Sequence, residues 1–373
     1  MYESSSAASY PSTPPPAPEM GPRPVVLGDT PWQAPGMSRS ISLGGVAPRL
    51  AAFTLGSRLH GRGVLTDTDL TPDEIGEVLE TATRLKRLHH RGEPHAYLPG
   101  TTLGMVFQHP STRTRVAFEA GMAQLGGQAI FLGVNDLQLK RGETLADTAR
   151  VLSRYVDALV ARVTDHGDLD ALAASASIPV FNGLSDRCHP LQALSDLLTL
   201  QERFGTLAGL KVAYLGDGNN VAASLLLAGS AMGVGVTLAC PRGFGPASDV
   251  VTQATWLAAA SGSGAQVVVT DDPWAAVAGA DAVYTDVHVS MGQTDGAARA
   301  VALAPFKVTA DLMAAANPSA VFMHCLPMHR GEEVDAAVAD GPQSIIFDQA
   351  ENRLHLQKAL LLHALCRPGP AAL

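Results

Sequence analysis

The chain has 373 residues, of which 46% are apolar and 16% charged, and carries a net charge of −9 at pH 7. That length suits two domains, and the apolar fraction is that of a globular protein, which excludes wholesale disorder. The acidic balance argues against an extended nucleic-acid surface but leaves room for a local basic pocket that holds a small anion.

Residues 1–48 are low in complexity, and nine of the chain's 25 prolines fall in the first 35 residues. Such a segment buries too little apolar surface to offset its ordering entropy, so a disordered extension is expected. It lacks the apolar core of a secretory signal and mixes acids with arginines, unlike an organelle transit peptide. Met20 and Met37 are alternative starts. Cys188, Cys240, Cys325 and Cys366 form no C-x-x-C pair, which fits a reducing, cytoplasmic setting rather than a disulfide or zinc framework.

Regular structure begins near Leu59. Thr71-Pro72-Asp73-Glu74 reads as a capping box with proline at N1, opening a helix whose apolar face is Ile75, Val78, Leu79 and Leu85. Residues 101–108 read as a buried strand, 111–127 as a helix closed by Gly126-Gly127, 128–133 as a strand, and 145–162 as a helix running into a strand. Residues 178–183 are the next strand, followed by a long helix from His189. The pattern restarts with strand 211–217, a helix from Val221 and strand 236–240. Further strands are expected at 265–271, 281–287, 320–327 and 344–348. The uncharged run Val221–Cys240 is long enough to cross a bilayer, but Gly233 and Gly235 divide it into a helix and a strand. Strands alternating with helices in both halves predict two doubly wound parallel-sheet α/β domains linked by long helices.

Ligands in such sheets lie beyond the carboxyl ends of the strands, and the chemistry-bearing segments all fall there. In Gln108-His109-Pro110-Ser111-Thr112-Arg113-Thr114-Arg115, a strand ends, Pro110 turns the chain and Ser111 sits where a helix N-cap belongs. First-turn N–H groups, hydroxyls and Arg113 together match a phosphate's oxygens; the plainer alternative is a capped helix with surface arginines. His189 and Gln192 are one turn apart, so they are placed to bond a planar carbonyl and its NH2, although a histidine before proline is often only a cap. Gly216-Asp217-Gly218 resembles a dinucleotide turn. However, position 221 is Val where a third glycine or alanine belongs, and no ribose-binding acid follows the next strand, so no cofactor is implied. Asp286 and Ser290 suit an α-amino or α-carboxylate group, with an Asp-capped turn as the alternative. His324, Cys325 and His329 form a conceivable metal trio, but no matching ligand cluster lies elsewhere in the sequence, and no metal is expected.

Taken together, these segments closely resemble the carbamoyltransferases, the ornithine branch in particular, over residues 59–366. By that resemblance Ser111, Thr112, Arg113 and Thr114 form the carbamoyl-phosphate motif. Arg162, His189, Gln192, Cys325, Leu326 and Arg353 complete that substrate's contacts, and Gln138 matches a glutamine contributed by a neighbouring subunit. Asn220, Asp286, Ser290 and Met291 match the ornithine contacts, and His324-Cys325-Leu326-Pro327 matches the ornithine branch. The resemblance implies transfer of the carbamoyl group of carbamoyl phosphate to the δ-amino group of L-ornithine, in arginine biosynthesis. Arg113, Arg162, His189, Asp286 and Cys325 would be the catalytic residues, in a homotrimer with shared active sites and with no nucleic-acid or membrane partner. It divides the chain into a carbamoyl-phosphate domain (59–195, rejoined by a C-terminal helix at 350–366) and an ornithine domain (196–349). A carbamoyltransferase for putrescine or a modified ornithine, and a non-catalytic anion-binding relative, are the alternatives. The chain departs from the family pattern at Gln108-His109, where Glu-Lys is usual, at Lys140 (Gly) and at His288 (Trp).

Overall fold

The computed structural model describes residues 59–289 and 295–366. The extension 1–48, together with Ser290 and Met291, lies outside the described residues, as does the side chain of Lys140.

The first half runs α1 (Pro72–His90), β1 (Thr102–Phe107), α2 (Thr112–Gln124), β2 (Gln128–Gly133), α3 (Leu145–Leu152), β3 (Ala158–Arg162), α4 (His166–Ser175), β4 (Val180–Leu184) and α5 (Pro190–Phe204). Its strands form one parallel sheet in the order β2-β1-β3-β4. The central strands β1 and β3 are buried along their whole length, as expected of a parallel sheet covered on both faces.

The second half runs β5 (Lys211–Leu215), α6 (Asn220–Ala231), β6 (Gly235–Ala239), α7 (Ser248–Ala260), β7 (Val267–Thr270), α8 (Pro273–Val277), β8 (Ala282–Thr285), α9 (Gly296–Leu303), α10 (Ala310–Ala315), β9 (Val321–His324), α11 (Ala336–Ala339) and α12 (Ile346–Leu365). Its parallel sheet has the order β7-β6-β5-β8-β9. In each sheet the winding direction reverses once, between β1 and β3 and between β5 and β8. Those two reversals open the crevices in which such folds bind ligands.

Helix α12 closes the molecule. It leaves the edge of the second sheet and packs against α1, α2 and α5, so the C-terminus returns to the first sheet. The Ala364 carbonyl accepts from Gly61 N at 2.9 Å, and His363 Nε2 lies 2.9 Å from the Thr81 hydroxyl. One apolar cluster runs continuously from Leu79 and Met105 through Leu197 and Leu361 to Tyr214 and Tyr284, joining the inner faces of both halves.

The strand expected at 344–348 is corrected. Only residues 343–345 pair with β9, through Phe322 N to Gln343 O at 2.8 Å and Ile345 N to Phe322 O at 3.0 Å, after which α12 begins. The Ile-Ile-Phe run has strand-like side chains, but it opens a long helix, with Ile346 buried and Phe347 exposed. The G-x-G turn also gains a physical reason. A Cβ on Gly218 would lie 2.3 Å from Pro246 N, so the glycine allows two backbone segments to meet, and Gly218 N donates to Phe244 O at 2.7 Å. Among the described residues no helix is long and apolar enough to cross a membrane.

At the start of α1, Glu74 N donates to the Thr71 hydroxyl at 3.3 Å and Thr71 N to Glu74 Oε2 at 2.9 Å, which is the capping box expected from the sequence. Replacing Thr71 with Ala removes one of these reciprocal bonds and is expected to cost about 1 kcal/mol. A thermal melt checks this through a Tm lowered by a few degrees.

Candidate active site

Ser111 follows β1 and caps α2, its hydroxyl accepting from Thr114 N at 3.3 Å. Thr114 is fully buried and its hydroxyl accepts from Arg353 Nη2 at 2.7 Å, so α12 supplies a guanidinium to the first turn of α2. Arg162, the last residue of β3, is buried beside them. Burial lowers the pKa of Arg113, and it takes Arg162 and Arg353 each down to about 10, with the Arg113 charge further lowering both and Arg353 lowering Arg162. Three like charges thus face a common space, and the Nε atoms of Arg113 and Arg353 are buried with no protein acceptor among the described residues. Such an arrangement is unfavourable alone and favourable around a small polyanion. Arg115 turns away, paired with Glu119 at 2.9 Å and lying 3.9 Å over the Phe131 ring. Gln138 is exposed on the 3-10 turn Gln138–Arg141 and joins none of these bonds.

The β4–α5 junction adds polar groups. His189 is buried, and burial beside the three arginines holds its pKa well below 6.5, so the imidazole is neutral. Its backbone N–H donates to the Ser224 hydroxyl at 2.8 Å, and that hydroxyl donates to Asp67 Oδ2 at 2.8 Å. Gln192 donates from Nε2 to Asp196 at 2.8 Å, leaving Oε1 buried with no partner among the described residues. Gln108 is committed elsewhere, donating to Asp168 at 2.7 Å and accepting from Thr164 N at 2.9 Å.

From the second sheet, Asp286 follows β8 and Cys325 follows β9. The Cys325 thiol donates to Asp286 Oδ1 at 3.0 Å, and Asn219 donates to Oδ2 at 2.9 Å. Burial and the adjacent carboxylate push the thiol pKa well above 9, so it stays protonated. His324 Nδ1 accepts from Leu326 N at 2.9 Å, which places its proton on Nε2, 3.3 Å from the buried Glu333 carboxylate. Asn220 donates to the Ser185 carbonyl at 2.6 Å, bridging the two halves. His288 is buried, and burial lowers its pKa.

Asp286, His324 and Cys325 offer ligand atoms within 4.8 Å of one another, as do His90, Glu351 and His355 in one further group and His329, Glu332 and Glu333 in another. A cation in the first group would cost at least one of the His324 bonds and the thiol proton.

Two family descriptions match the chain: the carbamoyl-P binding domain of aspartate/ornithine carbamoyltransferase over residues 62–202, and its Asp/Orn binding domain over 208–364. The chain belongs to the aspartate/ornithine carbamoyltransferase family. It is 54% identical to the ornithine carbamoyltransferase of Pyrococcus abyssi over 304 residues, covering 81% of this chain and 95% of that one. The anabolic ornithine carbamoyltransferase of Pyrococcus furiosus is likewise 54% identical, with 81% and 96% covered. The crystal structure of the Pyrococcus furiosus enzyme superposes with a TM-score of 0.80 at 52% identity, covering 82% of this chain and 98% of that one. The Gloeobacter violaceus structure gives 0.74 at 43%, covering 82% and 99%.

Within this member of the family, sequence reading missed Glu333, Asn219, Asp67 and Ser224. Glu333 lies in an irregular segment with no local signature. Asn219 was legible only as one of two turn carboxamides, and the structure separates them: Asn219 reaches Asp286, whereas Asn220 turns to a backbone carbonyl. Asp67 and Ser224 meet across 157 positions of sequence, which no spacing rule reveals.

Burial outweighs the Ser224 bond and raises the Asp67 pKa from 3.8 to about 7. The folded chain therefore binds this proton more tightly than the unfolded one, and stability is lost as pH rises between those values. Asp67→Asn keeps an acceptor for Ser224 and removes the charge. Its Tm relative to wild type is expected to increase from about pH 5 to about pH 8 in parallel melts.

Proposed function

We propose that this chain transfers the carbamoyl group of carbamoyl phosphate to the δ-amino group of L-ornithine, giving L-citrulline and phosphate. The observation that carries the reading is the convergence of three guanidiniums, two buried and one half-buried, with a neutral imidazole and a buried amide oxygen that has no partner among the described residues. Both named relatives are ornithine carbamoyltransferases, and the enzyme is assigned accordingly.

Arg113 and Arg353, with the Ser111–Thr114 turn, take the phosphate and neutralise it as the C–O bond breaks and the electron pair leaves with the phosphate oxygen. Arg162, Thr114 and His189 stabilise the oxyanion of the tetrahedral intermediate, and neutral His189 donates an N–H. The loss of one such donor typically costs about 10²–10³ in rate. Gln192 accepts from the carbamoyl NH2, and Leu326 borders the same substrate.

The nucleophile is the δ-amine, whose pKa near 10.4 leaves only about one molecule in 2,500 neutral at pH 7. As the C–N bond forms, the nitrogen gives up a proton, which leaves with the departing phosphate. Asp286, held between Cys325 and Asn219, is the carboxylate placed beside the nitrogen. No protein group becomes covalently attached, so orientation supplies much of the acceleration. Asn220, Ser290 and Met291 complete the ornithine contacts.

The exposed position of Gln138 suits a residue offered to a neighbouring subunit, and we assign a cytoplasmic homotrimer with shared sites. In the same reading residues 59–195, rejoined by 350–366, hold carbamoyl phosphate, and 196–349 hold ornithine.

Arg113→Ala is expected to lower kcat/KM by at least about 10² in a citrulline assay; wild-type activity would remove Arg113 from phosphate binding. The same assay run in parallel with ornithine, putrescine and N-acetylornithine is expected to respond to ornithine. Turnover of putrescine alone would reassign the substrate. Cys325→Ser is expected to shift ornithine KM and the pH profile together, because the donor to Asp286 changes from a thiol to a hydroxyl.

A further inference from the structure

Asp196 lies one turn beyond Gln192 on α5 and is fully buried. It receives three donors from three elements: Gln192 Nε2 at 2.8 Å and Gln349 Nε2 at 2.7 Å on Oδ1, and the Tyr284 hydroxyl at 3.1 Å on Oδ2. An ionised carboxylate only accepts hydrogen bonds. A side-chain amide facing it must therefore turn its NH2 inward and its carbonyl oxygen away. For Gln192, away is the crevice, where Oε1 is buried with no protein partner among the described residues. For Gln349, away is the backbone N–H of His324, from which Oε1 accepts at 2.9 Å, immediately before Cys325.

We propose that Asp196 is a positioning residue for the carbamoyl group, its acceptor-only carboxylate locking the Gln192 amide with the carbonyl oxygen toward the carbamoyl NH2. This deepens the reading above and rests on Gln192 contacting that NH2. The lock is needed because an amide is nearly symmetric in shape. A flipped Gln192 would fit the same space but set its NH2 against the substrate's NH2, donor against donor. The flip is blocked because it would point the glutamine oxygen at the Asp196 carboxylate. Through Gln349 the same carboxylate also holds the β9 exit that carries Cys325.

The lock has a pH sense. Burial raises the Asp196 pKa from 3.8 to about 7, against the three hydrogen bonds and the Arg353 charge that lower it. The titratable groups facing it are Tyr284 from β8, Arg353 from α12 and Cys325 after β9. Below about pH 7 the carboxyl gains a proton, becomes able to donate, and no longer forbids the flipped amide. The KM for carbamoyl phosphate should therefore rise on the acid side.

The test is carbamoyl-phosphate KM against pH for the full-length enzyme and for D196L, D196N and Q192A, with folding checked by thermal melt. D196L removes the acceptor and is expected to raise KM about tenfold. D196N, which like the protonated acid both accepts and donates, is expected to hold at every pH the raised KM that the wild type shows on the acid side, below that of D196L. It should also abolish the acid-side rise. D196L at wild-type KM, D196N as impaired as D196L, or an acid-side rise unchanged in D196N would each overturn the proposal. If D196L does not fold, the D196N pH profile decides. Q192A is expected to raise KM. A wild-type KM in Q192A would show instead that Gln192 does not contact the carbamoyl group, and the proposal would fall with that reading.

Discussion

Everything at this site depends on holding three guanidiniums close together, two of them buried and one half-buried. Arg113, Arg162 and Arg353 come from a helix start, a strand end and the returning C-terminal helix, and each loses proton affinity to burial. No local segment could assemble such a cluster, because like charges repel and buried charges are costly. Only a rigid frame built elsewhere holds them, and the two parallel sheets with the helices between them are that frame. Polyanion binding then converts repulsion into attraction, so the unfavourable part of the structure is the part that selects the ligand.

The neutral groups around the cluster follow from it. Beside three positive charges an imidazole cannot easily gain a proton, so His189 remains a hydrogen-bond donor rather than a fourth cation. Beside Asp286 a thiol cannot easily lose one, so Cys325 remains a donor rather than a competing nucleophile. The two halves of the crevice thus have opposite electrical character, cationic around Arg113, Arg162 and Arg353 and anionic around Asp286.

Much of this was legible in the sequence because parallel α/β folds place their chemistry at strand exits, and strand exits are marked by turn residues and caps. Ser111, Arg162, His189, Asp286 and Cys325 all lie where that rule puts them. The rule fails where side chains meet only in three dimensions. Asp196 could have been read as a carboxylate one turn from Gln192, but nothing in the chain reveals that Tyr284 and Gln349 converge on it. Ile345-Ile346-Phe347 misled because apolar composition alone does not separate a buried strand from the first turn of a buried helix. Lys358 is a comparable case: a fully buried lysine on α12, bonded to Gln124 and close to His95, with the polar character of a surface residue.

The path of α12 has a mechanical meaning as well. The backbone passes between the two sheets twice, once after α5 and once on entering α12, so the halves are joined at two points rather than one. Two connections constrain the halves more than one would, because any relative displacement has to be accommodated at both. The Asn220–Ser185 and Ser224–Asp67 bonds also span the two halves.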